Sequence, residues 1–283
     1  MKPQVIDLET YSKHSISVTK YNPETSNLRS IVISSATGVL QHYYSKFAQH
    51  FSVLGYTVYT FDYFGIGASN SEKIKENNVN LSDWAKDQAS VLNLAKESNP
   101  NYKITLLTHS IGGQLIGLNS KILLADSIIT VASQTGYWKY FKGYNRLRML
   151  SFWYVLIPVA TPLFGFFPAK KLGLFENIPK NVVYQWRRWG IHPQYLFSEF
   201  ETLYFESVKG NVLSLSFPRD SYAPKQAVDW LSNQFKNAQV ERKHIIPEKL
   251  NIEDVKHFGF FRSKFKGSLW KSTDEWIKKN TFK

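Results

Sequence analysis

The chain has 283 residues, 43% hydrophobic and 20% charged, a balance that excludes a disordered or collagen-like polypeptide and suits one core with an insertion better than two equal domains. There is no cysteine, which excludes disulfides, a thiolate nucleophile and cysteine-held metal, and fits a cytoplasmic setting. The formal charge of +13 is uneven, +1 over residues 1–110 and +12 over 111–283, so anionic partners must be considered.

The opening Met1–Asp7 has no apolar run behind Lys2 and reads as no secretory signal. From there to about Ile129, short β-rich apolar runs alternate with helix-length stretches. Ile16–Thr19 alternates like a half-exposed strand, while Ile31–Ser34, Tyr56–Phe61, Lys103–Thr108 and Ser127–Val131 are near-continuous apolar runs. Such runs are typical of strands buried on both faces of a parallel sheet. Between them, Tyr43–Leu54 carries apolar residues at helical spacing and is stopped by Gly55. A second helix opens at Ser82, a capping-type residue, and runs to about Ser98. The rhythm predicts an α/β fold: a mostly parallel sheet with helices on both faces.

Residues 136–200 break that rhythm. They hold 18 of the 44 aromatic residues and a net charge of +7, and they read as a helical, aromatic-rich lid inserted into a core made of residues 1–135 and 201–283. The core pattern then resumes with Val212–Phe217, a helix near Lys225–Phe235, Val240–Ile246 and an amphipathic helix at about Ser272–Lys279. Within the insertion, 21 uncharged residues lie between Arg148 and Lys170, long enough to span a bilayer. Pro158 and Pro162 interrupt them and cations flank both sides, so buried packing in the lid is the expectation, with weak contact to an anionic membrane surface as the alternative.

The segment Thr108-His109-Ser110-Ile111-Gly112-Gly113 follows a buried strand and precedes a helical stretch beginning near Gln114. That is the setting of a nucleophile elbow, in which small residues allow a strained turn to present a serine. Gly112 fits; Thr108 stands where glycine is usual, which also leaves room for an ordinary strand-to-helix turn. Serine needs a base, and the base an orienting acid. Asp220 follows the strand Val212–Phe217, and His257 lies just past the last strand pattern, completing the order Ser…Asp…His. Asp126 precedes its strand, and His244 lies inside one, so both read as structural.

Gly55-Tyr56-Thr57-Val58 followed by Phe61-Asp62-Tyr63-Phe64-Gly65-Ile66-Gly67-Ala68-Ser69, joined to the serine elbow, Asp220 and His257, resembles the serine α/β-hydrolases of the monoacylglycerol lipase and serine aminopeptidase type. The resemblance spans about residues 25–135 and 205–280. It implies an α/β-hydrolase fold, a Ser110–Asp220–His257 triad and two oxyanion-hole donors. One is the N–H of Ile111. The other falls in Ser35-Ala36-Thr37-Gly38, at Thr37 or, if the register slips by one, at Gly38. Asp62, Gly65 and Gly67 read as structural turn residues.

No phosphate loop, dinucleotide fingerprint or HExxH occurs, so neither metal nor cofactor is expected. Trp186-Arg187-Arg188-Trp189 has no nucleic-acid fold signature around it, and no nucleic-acid partner is expected. The resulting expectation is a serine hydrolase acting on small-molecule esters with an apolar moiety. An aminopeptidase of the same fold and a non-catalytic binder of lipids or small molecules are the rivals.

Overall fold

The computed structural model describes residues 2–70 and 73–280. Its elements in chain order begin with β1 (Gln4–Glu9), β2 (Ser15–Tyr21), β3 (Arg29–Ser34), α1 (Ser45–Val53), β4 (Thr57–Phe61), α2 (Leu81–Ser98), β5 (Lys103–His109), α3 (Ile111–Gln114) and β6 (Ser127–Val131). The insertion supplies α4 (Gly143–Ser151), α5 (Ile157–Phe164), β7 (Phe166–Phe167), β8 (Ile178–Pro179) and α6 (Lys180–Ile191). The chain then returns through β9 (Asn211–Ser216), α7 (Lys225–Ser232), β10 (Gln239–His244) and α8 (Lys271–Asn280).

Eight strands form one sheet in the order β1-β2-β4-β3-β5-β6-β9-β10. The β1–β2 and β2–β4 pairs are antiparallel and the others parallel. The apolar runs belong to β3, β4, β5 and β6, which are buried along almost their whole length because helices cover both faces. Two clusters form the core. Phe47 and Phe51 of α1 pack with Trp276 and Ile277 of α8 on one face, while Trp84 and Leu92 of α2 pack with the insertion on the other.

Topology locates the site. From β3 the chain crosses to β4 on one side and then to β5 on the other, so the order reverses at β3–β5. A crevice opens beyond their carboxyl ends, where ligands bind in open α/β sheets. Pairing Ser34 with Thr108, Thr108 with Thr130 and Thr130 with Ser214 brings the ends of β3, β5, β6 and β9 to one level.

Several local expectations need correction. The cap of α2 is Asn80, not Ser82: its side chain accepts from the N–H groups of Ser82 and Asp83, while Asp83 reaches back to the Asn80 N–H in a capping box. The helix after the elbow starts at Ile111 and lasts one turn before tightening to a 3-10 turn over Leu115–Leu118. β1, an edge strand with only Ile6 and Leu8 half-buried, is not among the strands expected from the sequence.

The uncharged stretch is also not wholly buried. Residues 143–164 form one 22-residue helical run, α4 and α5 joined by a π turn at Phe152–Leu156. It turns Met149, Trp153, Ile157, Ala160 and Thr161 inward, whereas Leu147, Val155, Val159 and Leu163 are exposed. One side of this run is buried against the rest of the fold and the other faces solvent.

Candidate active site

Ser110 sits between β5 and α3 with φ 52° and ψ −113°, a left-handed conformation rare for a side-chain-bearing residue. Its N–H donates to Val131 O at 3.0 Å, which ties the turn to β6. The two glycines are sterically required. A Cβ on Gly112 would lie 2.6 Å from Ser34 O, and one on Gly113 would lie 2.3 Å from Ser133 Oγ and 3.0 Å from Thr108 Oγ1. Thr108 is therefore accommodated because Gly113 has no side chain where its hydroxyl comes to rest.

Asp220 and His257 reach the same edge of the sheet from β9 and β10. Arg219 and Lys256, the residues just before them, are both left-handed, with φ 56° and 52°. Asp220 Oδ1 accepts the N–H groups of Tyr222 and Ala223, each at 2.8 Å. His257 Nδ1 lies 2.9 Å from Asp220 Oδ2 and 3.1 Å from Oδ1. An ionised carboxylate only accepts, so Nδ1 carries the proton and Nε2 keeps a lone pair. Arg219 bonds Glu248 at 3.0 Å and Asp254 at 2.9 Å, linking the Asp220 loop to the segment that leads to His257. Among the described residues no hydrogen bond joins the Ser110 hydroxyl to His257; both side chains line one cavity.

His109 was expected only as a flank of the serine, yet it bonds across three loops. Tyr44 Oη accepts the Ala36 N–H at 2.9 Å and lies 2.9 Å from His109 Nδ1, while His109 Nε2 lies 3.0 Å from His257 O. Tyr44 has one proton to give, so it donates to Nδ1, and Nε2–H donates to the His257 carbonyl. Burial and the neighbouring His257 hold His109 well below the usual histidine range.

The cavity holds about 640 Å³ between the sheet edge and the insertion. Ala36, Thr37, Ser110 and His257 line it from the core, and Phe141, Met149, Phe152, Phe167 and Trp186 from the insertion. Thr37 lies on this cavity with its buried hydroxyl unpartnered among the described residues. Gly38 does not line it: its carbonyl accepts the Glu176 N–H at 2.9 Å, and its Cα faces Phe175 and Glu176. Of the two positions expected for the second oxyanion donor, Thr37 lines the cavity and Gly38 does not. One turn of helix after Ser110 adds little dipole, so negative charge there depends on individual N–H groups.

Three lining residues escaped the sequence reading. Arg148 stacks its guanidinium 4.5 Å over the Tyr222 ring and donates to Ser221 O at 2.9 Å, with no acidic partner among the described residues. Gln134 donates to Tyr222 O at 3.1 Å while its own oxygen is unpartnered among the described residues. Nothing in the pattern around Arg148, Gln134 or Tyr222 marks them, because their meeting depends on how the insertion folds back. Trp189 is buried and bonds Glu199, and Trp186 bonds Tyr195, so the Trp-Arg-Arg-Trp segment directs its rings into the fold. Asp62 accepts from Gln41 and Ala68, and Asp126 from Lys103 and Ile104, both as structural ties. No cluster of three or more metal-ligating side chains occurs among the described residues.

Residues 28–151 match the family model described as Hydrolase_4, serine aminopeptidase, S33. No curated protein matches the chain in sequence. Among solved structures, the carboxyl esterase of Bacillus coagulans in complex with glycerol is similar, with TM-score 0.69 and 12% identity, over 99% of each chain. DcsB, solved in complex with its substrate analogue, gives TM-score 0.69 at 15% identity, over 99% of this chain and all of the other. The Pyrococcus furiosus esterase PF2001 gives 0.64 at 12%, over 99% of this chain and 92% of the other. With this sheet order and the match around the serine turn, the chain has the fold of the α/β-hydrolases, and its residues 28–151 are similar to the serine aminopeptidase family.

Proposed function

We propose that the protein is a serine esterase acting on carboxylic esters with an apolar acyl or alcohol part. The observation that carries this reading is the strained Ser110 opening into the same apolar cavity as His257, whose other nitrogen is held by Asp220. Ser110 Oγ attacks the ester carbonyl while His257 Nε2 takes its proton. Asp220 steadies the imidazolium, and the N–H groups of Ile111 and Thr37 receive the negative oxygen of the tetrahedral intermediate. The C–O bond to the alcohol breaks, the departing oxygen takes the proton from His257, and the acyl group stays on Ser110. Water, deprotonated by His257, then releases the acid and restores the serine.

The absence of a Ser110–His257 hydrogen bond is compatible with this reading, since such contacts often tighten only around bound substrate. A fluorophosphonate probe is expected to label Ser110. Ser110→Ala should lose labelling and at least about four orders of magnitude in ester turnover. A folded wild-type protein that resists the probe would sink the proposal.

The aminopeptidase reading needs an acidic group to hold the substrate amine. Glu176, the only acid lining the cavity among the described residues, is already bonded to Lys170 at 2.8 Å, whereas the cation Arg148 has no acidic partner among the described residues. The local charge thus disfavours a cationic N-terminus. Turnover of p-nitrophenyl esters should exceed that of aminoacyl anilides, and the reverse ranking would favour the peptidase.

A further inference from the structure

Few apolar residues are as exposed as those on the outer side of the helical run 143–164. Tyr144 is 78% exposed and Leu163 76%, with Leu147, Tyr154, Val155 and Val159 between them, each at least 48% exposed. These positions face outward, while Met149, Trp153 and Ile157 are buried. A contiguous apolar face of this kind marks an interaction site.

Charge narrows the choice of partner. No aspartate or glutamate occurs from Ser127 to Phe175, whereas Lys139, Lys142, Arg146, Arg148, Lys170 and Lys171 all fall there. Lys139 and Lys142 precede the run, and Lys171 follows it with its ammonium 4.5 Å over the Phe164 ring. Cations at both ends of an exposed apolar helix that also carries tyrosines match the headgroup region of an anionic bilayer, where long basic side chains keep their charge in water while their stems lie on the apolar layer.

The cavity opens on this same face. Tyr144, Leu147, Leu172, Leu174 and Phe175 are exposed and also line the cavity that contains Ser110. We infer that residues 143–164 dock the protein on anionic lipid surfaces, lying in the interface with the cavity mouth towards the bilayer. The helix lies on the membrane and does not cross it. Trp153 is fully buried, donates to Gly136 O at 3.0 Å and accepts from Arg187 at 2.6 Å, so a spanning orientation would pull these contacts apart. Docking brings apolar esters to the mouth from the lipid phase, and in this it rests on the esterase reading.

The test uses full-length Ser110→Ala protein, so that lipid binding is read without catalysis and its failure is distinct from failure of the esterase reading. Co-sedimentation is measured with vesicles of phosphatidylcholine alone and of phosphatidylcholine mixed with phosphatidylserine, each at low and high salt. Binding should be roughly tenfold or more stronger on the mixed vesicles and should weaken with salt. The triple change Val155→Glu, Val159→Glu and Leu163→Glu, at positions that do not line the cavity, should abolish it. With Ser110 restored, that variant should still hydrolyse a water-soluble ester at the wild-type rate. If it fails to fold, Lys139→Ala with Lys142→Ala and Lys171→Ala should cut binding to the mixed vesicles several-fold and leave neutral vesicles unaffected. Negligible binding in all four conditions overturns the inference. So does binding that survives these changes, or a dimer split by the glutamates in protein that never sediments with vesicles.

Discussion

At the scale of single residues, His109 shows how one side chain serves several loops. It is fully buried, accepts a hydrogen bond from Tyr44 and donates one to the His257 carbonyl, so it links the Ala36–Thr37 loop, the serine turn and the histidine loop. Protonating it would put a donor against the Tyr44 hydroxyl and a charge in the core. Its value in the folded chain lies below the ordinary 6.5, because burial penalises the charged form. The unfolded chain therefore binds the extra proton between that lowered value and 6.5. The contribution to stability is fully present above 6.5 and is lost as pH falls, by at most about 1.4 kcal/mol per pH unit for one proton. Urea midpoints measured at about pH 8 and about pH 5.5 should fall more steeply for the wild type than for His109→Gln. His50 and His244 are also lowered by burial, but they are only partly enclosed and leave a residual slope in both proteins. Equal slopes would remove His109 as the group responsible.

At the scale of elements, each part of the site is a loop at the carboxyl end of a parallel strand, and each is fastened differently. The serine turn is held by steric need at Gly112 and Gly113. The Asp220 loop is held by its own N–H groups and by Arg219, which reaches Glu248 and Asp254. Arg219 is 59% exposed, so ion pairs there are worth about 1 kcal/mol or less. Arg219→Ala should accordingly leave the melting temperature nearly unchanged. Ester kcat should drop several-fold, with KM little altered, because the tether acts on how Asp220 meets His257 and not on substrate. An unchanged kcat would mean that the two bonds from Tyr222 and Ala223 hold the carboxylate unaided. The strands at this scale were legible because burial on both faces demands continuous apolar runs. The cap of α2 was legible in principle, since Asn80-Leu81-Ser82-Asp83 has capping-box spacing, but Ser82 offered an equally plausible start.

At the scale of the whole molecule, the cavity belongs to neither part alone: the core supplies Ser110 and His257, and the insertion supplies the aromatic walls. Tryptophans hold the insertion in place. A Cβ on Gly190 would lie 2.3 Å from the Trp153 indole, so the ring rests directly on the backbone of α6. A volume of about 640 Å³ is in the range of small-molecule sites, walled by the core and the insertion and open at one mouth. In a p-nitrophenyl ester series, kcat/KM should peak at acyl chains of roughly four to ten carbons and fall for longer ones. A flat profile would show that the acyl chain lies outside this cavity.

The fold class and the order serine, aspartate, histidine could be read from the chain because they depend on local and periodic features: apolar runs of strand length, glycines at a strained turn, and polar residues just past strand ends. Gly112 must be glycine whatever else the protein does, since Ser34 O occupies the place of its side chain. What the insertion does could not be read the same way. Twenty-one uncharged residues fit a buried packing element, a span or an interfacial helix equally well by composition. Only the packing of the helix against the rest of the fold decides which side faces water. The same holds for Tyr44, Arg148 and Gln134, whose partners lie 65, 73 and 88 positions away. Periodicity reports which side of an element is apolar, but a contact between distant segments exists only once the chain has closed around the site.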